Sequence, residues 1–265
     1  MELIMLVTYR MLTGEGKEEC EDSALIYDRG SRELLHGGNG STRIEEPCII
    51  AIADGVGGNP GGRDASTFAM NALLEQFSDL EVPFDAGQIR DKIRQINCDL
   101  VSYSSDLHEK AHMATTFTAL FCCGGRIVIA HAGNTRLNAL NNCFLKQLNT
   151  DHSTYQYLRD IGDYEASERC NKSEIYSFLG GGDPEGLRRL EIKVLEKDQI
   201  PEVMILTSDG IHEYVKLDDF EDLMADGSVS SEQKTASLVE MALENFSRDD
   251  KTVLIIERNG RQSGC

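Results

Sequence analysis

Four short acidic stretches contain the residues of this chain whose types and spacing point most directly to chemistry. They are Glu21-Asp22, Asp54-Gly55, Asp209-Gly210 and Asp249-Asp250. Three of them lie at an end of an apolar, β-branched run, where a rigid strand would hold the carboxylate and remove part of its hydration. Carboxylates gathered in this way repel one another unless cations lie between them, and ligation by oxygen alone suits Mg²⁺ or Mn²⁺. The pattern therefore predicts a site for divalent cations.

The overall composition excludes several classes of function. Of the 265 residues, 40% are hydrophobic and 27% are charged, which is typical of a globular protein. No apolar run approaches the roughly 20 residues needed to span a bilayer. The formal net charge of −19 argues against binding to nucleic acid or to an anionic membrane. The eight cysteines lack zinc-site spacing, and the N-terminus does not resemble a signal peptide, so we expect reduced thiols in the cytoplasm.

Short β-branched runs joined by turn signals predict a chain rich in strands. We expect strands at 2–9, 23–27, 48–53, 115–121, 127–130, 136–140, 143–148, 189–195, 203–207 and 252–257. Apolar spacing predicts helices at 65–77, 86–109, 153–161 and 231–246. We interpret 30–46 as a loop or hairpin tip, 163–173 as a mobile flap and 258–265 as a frayed tail.

Strands joined by hairpins, with helices between the blocks, predict an α+β fold class. We expect a central antiparallel β-sandwich flanked by helices on both outer faces, a four-layer αββα arrangement, in one domain over residues 1–265. The common sequence motifs for nucleotide binding and for a catalytic nucleophile are absent. Pro60 stands where a dinucleotide-binding motif needs glycine. The six histidines are scattered, and we interpret each as a surface or locally hydrogen-bonded residue.

Seven segments, taken in order and spacing, resemble the metal-dependent Ser/Thr protein phosphatases of the 2C type, and their compact form resembles the bacterial members. The matching segments are KEECEDS at 17–23, ADGVGG at 53–58, ATT at 114–116, AGNTR at 132–136, TDHS at 150–153, TSDG at 207–210 and RDDKTV at 248–253. Each one alone is a weak signal, because an Asp-Gly turn or a solvated acidic corner is common. Their joint spacing favours the resemblance, which also implies a β-sandwich.

This resemblance implies a centre with two Mn²⁺ or Mg²⁺ ions and gives roles to individual residues. Asp54 would bridge the ions, and Asp209 and Asp249 would bind the first. The Gly55 carbonyl and Glu21, acting directly or through water, would bind the second. Water activated between the ions would attack phosphorus, so Asp54, Asp209 and Asp249 are the implied catalytic residues and no protein nucleophile is needed.

Three further positions belong to the site that the resemblance implies. Asp22 would hold a metal-bound water from an outer shell. Asn134 stands where many members have an Asp at a third, weaker metal site, and its neutral amide predicts a weakened third site. Lys17 stands where the family often has an arginine that grips the substrate phosphate. A lysine ammonium supplies a compact charge but not the two parallel hydrogen bonds of an arginine guanidinium, so we expect weaker phosphate binding.

The function predicted from these residues is hydrolysis of phosphoserine and phosphothreonine in proteins by a cytoplasmic enzyme of signalling, opposite a Ser/Thr kinase and without nucleic-acid or membrane partners. Two alternatives stay open at this point. One is a pseudophosphatase that acts as a regulatory or binding domain, which the changes at Lys17 and Asn134 allow. The other is a phosphatase for a small phosphorylated metabolite.

Overall fold

The computed structural model describes residues 3–56, 61–78, 84–107 and 112–258. The strands in this part of the chain are β1 Ile4–Leu12, β2 Ser23–Tyr27, β3 Arg32–Leu35, β4 Gly38–Glu45, β5 Cys48–Ala53, β6 Ala114–Thr115, β7 Phe117–Cys123, β8 Arg126–Ala132, β9 Arg136–Asn141, β10 Phe144–Gln147, β11 Leu179–Gly180, β12 Glu191–Leu195, β13 Val203–Thr207 and β14 Lys251–Arg258. The helices are α1 Gly62–Gln76, α2 Ala86–Ser105, α3 Thr154–Asp160, α4 Tyr164–Arg169, α5 Asp209–His212, α6 Leu217–Ala225 and α7 Ser231–Glu244, with a 3₁₀ turn at Pro184–Gly186.

Two six-stranded antiparallel sheets form the centre of the molecule. The strand order is β10-β9-β13-β14-β1-β4 in the first sheet and β12-β8-β7-β5-β2-β3 in the second. A two-stranded pair, β11-β6, lies apart from them. Sequence neighbours such as β7 and β8 pair as hairpins, and this local pairing is the reason that the sequence signals located most strands correctly.

Three apolar clusters separate the structure into layers. The first fills the space between the two sheets, the second packs the second sheet against α1 and α2, and the third packs the first sheet against α5, α6 and α7. Alternate residues of one strand therefore serve different clusters. Ile50 of β5 faces the first cluster and Ile49 the second, whereas Ile256 of β14 faces the first and Ile255 the third. Burial of both faces explains the continuous apolar runs, and the predicted α+β fold with helices outside a β-sandwich is confirmed.

Local signals for turns and helix ends are also confirmed. Gly124 and Gly125 connect β7 and β8 with φ angles of 63° and 72°, which suit a tight two-residue hairpin turn. Ser153 caps α3, since its hydroxyl accepts a hydrogen bond of 3.2 Å from the Gln156 backbone N–H.

The interpretation of residues 30–46 as a loop or hairpin tip is wrong in part. The segment contains β3 and β4, and these strands pair with different sheets, β3 with β2 and β4 with β1. Both are edge strands. The sequence signal is weak because β4 has three residues of low strand propensity, Gly38, Asn39 and Gly40, and mostly exposed side chains.

The segment 163–173, interpreted from the sequence as a mobile flap, contains α4 over six of its residues, and its role as a flap stays a prediction. Asp163 caps this helix by accepting a 3.0 Å hydrogen bond from the Ala166 backbone N–H. A helix of less than two turns has too few residues to show a period. Helix α6, which the sequence analysis did not predict, and the early end of α2 at Ser105 are further differences. The tail was predicted at 258–265, but Arg258 is the last residue of β14, and residues 259–265 lie outside the described residues. The end of the second predicted helix, at Glu109, lies outside them as well.

No helix within the described ranges is long and apolar enough to span a bilayer.

Candidate active site

The four acidic stretches lie at the ends of paired strands. In the second sheet, Ser23 at the start of β2 pairs with Ala53 at the end of β5, so Glu21-Asp22 and Asp54 share one edge. In the first sheet, Thr207 at the end of β13 pairs with Val253 near the start of β14, so Asp209 and Asp249-Asp250 share an edge as well. Antiparallel pairing places the end of one strand beside the start of its neighbour, and this explains both juxtapositions.

A buried side-chain hydrogen bond joins these two edges across the sandwich. The Thr252 hydroxyl of the first sheet donates to Asp22 Oδ2 over 2.6 Å. Both side chains are buried. Burial, together with the charge of Asp250, raises the pKa of Asp22 to about 8. The sequence analysis assigned no role to Thr252, although it lies in a matched segment, because its partner is 230 positions away.

Asp54 is held by its backbone at the centre of the carboxylates. Its backbone N–H donates to Thr116 Oγ1 over 2.9 Å, and its carbonyl accepts from the Thr116 N–H over 2.8 Å. Burial, followed by the charges of Asp209 and Asp22, holds the pKa of Asp54 well above its usual range. This carboxylate therefore lies close enough to carboxylates of both sheets for their charges to repel.

Asp209 begins α5 directly after β13, and it was predicted to coordinate a metal together with Asp54. Asn134 Nδ2 donates to Asp209 Oδ2 over 3.0 Å, a contact that the sequence analysis did not predict. Burial and the charge of Asp249 raise the pKa of Asp209, and the hydrogen bond from Asn134 opposes that shift.

Lys17 makes ion pairs with three of the carboxylates. Its ammonium nitrogen lies 2.8 Å from Glu21 Oε2, 2.8 Å from Asp249 Oδ1 and 2.9 Å from Asp250 Oδ2. The lysine side chain is 27% exposed, so it lies at the rim of the site. Its predicted role toward substrate phosphate stays a prediction, because the ammonium is occupied by the protein's own carboxylates.

Asp250 anchors the loops around the site. Its Oδ1 accepts from the Gly14 N–H over 2.7 Å, and its Oδ2 accepts from the Glu21 N–H over 2.8 Å. The side chain is 2% exposed, compared with 45% for that of Asp249. Asp250 therefore positions the segment that precedes β2, whereas Asp249 is accessible from solvent. The adjacent pair Asp249-Asp250 indicated a carboxylate site in the sequence, but only the structure distinguishes the two residues.

The glycines next to Asp54 permit close approach of backbone segments. A Cβ atom on Gly55 would lie 2.5 Å from the carbonyl carbon of Gly62, and one on Gly62 would lie 2.7 Å from Glu21 Oε1. The start of α1 thus packs directly on the site. Gly57 and Gly58 of the matched segment lie outside the described residues.

The oxygen atoms of the site match a divalent cation in chemical type. Asp22 Oδ1 and Asp209 Oδ1 are buried and have no hydrogen-bond partner. Such carboxylate oxygens are the ligands that Mg²⁺ and Mn²⁺ prefer, so the residues fit these ions in type. Over the described part of the chain, however, no three Asp, Glu, His or Cys side chains are arranged to hold a metal ion as they stand. Three of the carboxylates, those of Glu21, Asp249 and Asp250, form ion pairs with the ammonium of Lys17 instead.

Three histidines form local hydrogen bonds, in agreement with their interpretation from the sequence. His131 bonds to Thr118 and to the Thr150 carbonyl, His152 accepts from the Gly133 N–H, and His212 bonds to Thr207. Burial lowers the pKa of His131 to about 4 and that of His152 to about 3. His108 lies outside the described residues.

Comparisons with known proteins identify the family of the chain and agree with its fold. A family model described as protein phosphatase 2C matches residues 40–246. The serine/threonine phosphatase stp of Listeria welshimeri is 28% identical over 233 residues, which cover 86% of this chain and 91% of that protein. The crystal structure of serine/threonine phosphatase Stp1 from Staphylococcus aureus matches with a TM-score of 0.77 at 23% identity, over 96% of this chain and 95% of that one. The catalytic domain of PstP, in complex with two manganese ions, matches with a TM-score of 0.72 at 22% identity, over 96% and 99%.

The fold is therefore that of the bacterial serine/threonine phosphatases. The chain belongs to the protein phosphatase 2C family. This confirms the family predicted from the seven segments, and with it the prediction of a hydrolytic enzyme. The relatives compared are named as phosphatases, so nothing in them supports the alternative of a pseudophosphatase.

Proposed function

We propose that this chain is a metal-dependent phosphatase that hydrolyses phosphoserine and phosphothreonine in proteins, at a centre built from Asp54, Asp209, Asp249, Glu21 and the Gly55 carbonyl. The observation that carries the proposal is the convergence of partly desolvated carboxylates from both sheets, whose raised pKa values reflect a need for positive charge. The manganese ions in the PstP catalytic domain support the choice of Mn²⁺ or Mg²⁺.

Individual residues have separate tasks in this proposal. Asp54, fixed by its backbone bonds to Thr116, would be shared between the cations. Asp209 and Asp249 would bind one cation, and Glu21 and the Gly55 carbonyl the other. When bound, the ions supply Lewis acidity, which lowers the pKa of water and neutralises charge on the phosphoryl oxygens.

The surrounding polar residues hold these ligands in place. Asn134 fixes the orientation of Asp209, and Thr252 fixes that of Asp22, which has one oxygen left to hold a water molecule. The neutral amide of Asn134 leaves a third cation weakly bound. Lys17 contributes positive charge at the rim, where a phosphoryl group enters.

The proposed substrates are phosphorylated proteins, with a Ser/Thr kinase acting in the opposite direction in signalling. We place the enzyme in the cytoplasm, because the cysteines of the described segments are free thiols, as expected in a reducing compartment. The assignment of residues 1–265 to one domain stays a prediction.

The test is Mn²⁺-dependent hydrolysis of p-nitrophenyl phosphate and of a phosphothreonine peptide. Asp54→Asn and Asp209→Asn should each lower kcat on the order of a hundredfold or more, because Lewis-acid stabilisation contributes several kcal/mol and each 1.36 kcal/mol is tenfold in rate. Asp218→Asn, an exposed carboxylate in the first turn of α6, makes the same chemical change away from the site and should leave kcat unchanged.

Two results would contradict the proposal. One is full activity of the well-folded Asp54→Asn variant with Mn²⁺ present. The other is a preference for sugar phosphates over phosphopeptides in kcat/KM, which would favour the small-metabolite alternative.

A further inference from the structure

Lys17 has the contacts of a bound cation rather than those of a surface lysine. Its three ammonium hydrogens match three carboxylate oxygens, on Glu21, Asp249 and Asp250, at 2.8 to 2.9 Å. Burial alone would lower the pKa of Lys17, but the hydrogen bonds to Asp249 and Glu21 outweigh it and hold the pKa above its ordinary value. The ammonium is therefore charged and fully committed to carboxylates.

Two of those carboxylates belong to different halves of the proposed metal centre. Glu21 is assigned to one cation and Asp249 to the other, so a single ammonium spans both positions. A divalent cation on either of these oxygens would lie close to the ammonium held there at 2.8 Å, and the two positive charges would repel.

We propose that Lys17 is an internal competitor for the divalent cations: its ammonium neutralises Glu21 and Asp249 until metal binds, and it leaves both carboxylates when metal enters. This inference rests on the proposed function, because it requires these two residues to be metal ligands. It makes Lys17 a residue that sets metal affinity. The role is separate from the phosphate contact implied by the family resemblance.

The surroundings of Lys17 allow this exchange. Asp250 keeps hydrogen bonds from the Gly14 and Glu21 backbone N–H groups after the lysine departs, so its buried charge stays satisfied. A groove of about 390 Å³ opens beside the lysine, with Glu18, Gly61 and Arg63 among its lining residues. The four-carbon stem of lysine is flexible and gives the ammonium access to this groove.

Calorimetric titration of the metal-free full chain with Mn²⁺ tests the competition. Lys17→Met keeps the length of the stem and removes the charge, and it should bind Mn²⁺ about tenfold more tightly than the wild type, since no ion pairs have to be broken. Arg63→Met is the matched control. It removes the same charge from the same groove, but Arg63 bonds to Glu19 and to the Cys20 carbonyl, so its Mn²⁺ affinity should stay within about twofold.

Thermal unfolding gives a readout that does not depend on binding. In EDTA, Lys17→Met should have a lower Tm than the wild type, because the carboxylates lose their counter-ion, and saturating Mn²⁺ should raise its Tm by more than it raises that of the wild type. Lys17→Arg keeps the charge and should resemble the wild type in both experiments. If Lys17→Met does not fold without metal, Lys17→Arg tests the proposal in its place. This variant keeps the competing positive charge, so a tenfold gain in its Mn²⁺ affinity would overturn the competition.

The outcomes separate this inference from the proposed function. If the wild type binds no Mn²⁺, or if Asp54→Asn binds it equally well, the metal centre itself is wrong. If Mn²⁺ binds at Asp54 but Lys17→Met has wild-type or weaker affinity, or gains no more than Arg63→Met, the centre stands and the competition is overturned.

Discussion

Replacement of Gly210 by alanine should disrupt the site through the backbone without removing any functional group. Gly210 follows Asp209 in α5, and a Cβ atom at this position would lie 1.9 Å from the Asp250 carbonyl oxygen and 2.9 Å from its carbonyl carbon. The Ser247 hydroxyl also donates to the Gly210 carbonyl over 2.9 Å. Because the obstacle is backbone, rotation of a side chain cannot relieve it, and the segment before β14 must move by about an ångström or more.

The magnitude follows from what that movement breaks. Asp250 accepts hydrogen bonds from the Gly14 and Glu21 backbone N–H groups at 2.7 and 2.8 Å, and both require its present position. Hydrogen bonds to a charged group contribute about 1.5–3 kcal/mol each, so loss or weakening of the two lowers the free energy of unfolding by about 3 kcal/mol or more. For a chain of this size that corresponds to a decrease in Tm of roughly 6–12 °C.

The assay combines thermal unfolding in EDTA, followed by circular dichroism, with Mn²⁺-dependent hydrolysis of p-nitrophenyl phosphate. Gly210→Ala should show the decrease in Tm and a loss of kcat, because Asp209 and Asp249 flank the displaced segment. Gly227→Ala is the matched control: a Cβ atom there meets nothing within 4 Å, so its stability should change by less than about 1 kcal/mol. A Gly210→Ala protein with the wild-type Tm and rate would refute the reasoning.

Two further predictions concern buried polar groups. Thr252→Val removes the hydroxyl that donates to Asp22 Oδ2 and should lower the free energy of unfolding in urea by about 1.5–3 kcal/mol, whereas Thr252→Ser keeps the bond and should lose less; equal losses would contradict this. Burial lowers the pKa of His131 to about 4, so the unfolded chain binds the proton first as pH falls, and stability should decrease between about pH 6.5 and pH 4. In a pH series of urea unfolding, His131→Gln should reduce that decrease, and an unchanged slope would exclude the histidine as a cause.

Much of the fold could be predicted because its signals are local. The run 48–53 predicted a buried strand, and Gly124-Gly125 predicted a hairpin, since period and turn chemistry depend only on neighbouring residues. Strand β4 and helix α4 were missed because one has weak strand propensity at an edge and the other is too short to show a period.

The position of the acidic stretches at strand ends was likewise determined by the sequence, and the matched segments identified the family. The sequence could not determine which carboxylates meet. Lys17 and Asp249 are 232 positions apart, and their contact requires the pairing of β1 with β14. Asp22 and Thr252 are 230 apart, and their contact exists only after the two sheets have packed face to face. Contacts between distant residues depend on strand order and on the packing of the sheets, which no local pattern specifies. Only the tertiary structure, therefore, decided that Asp250 anchors the loops, that Asp249 stays accessible and that a lysine holds the carboxylates together.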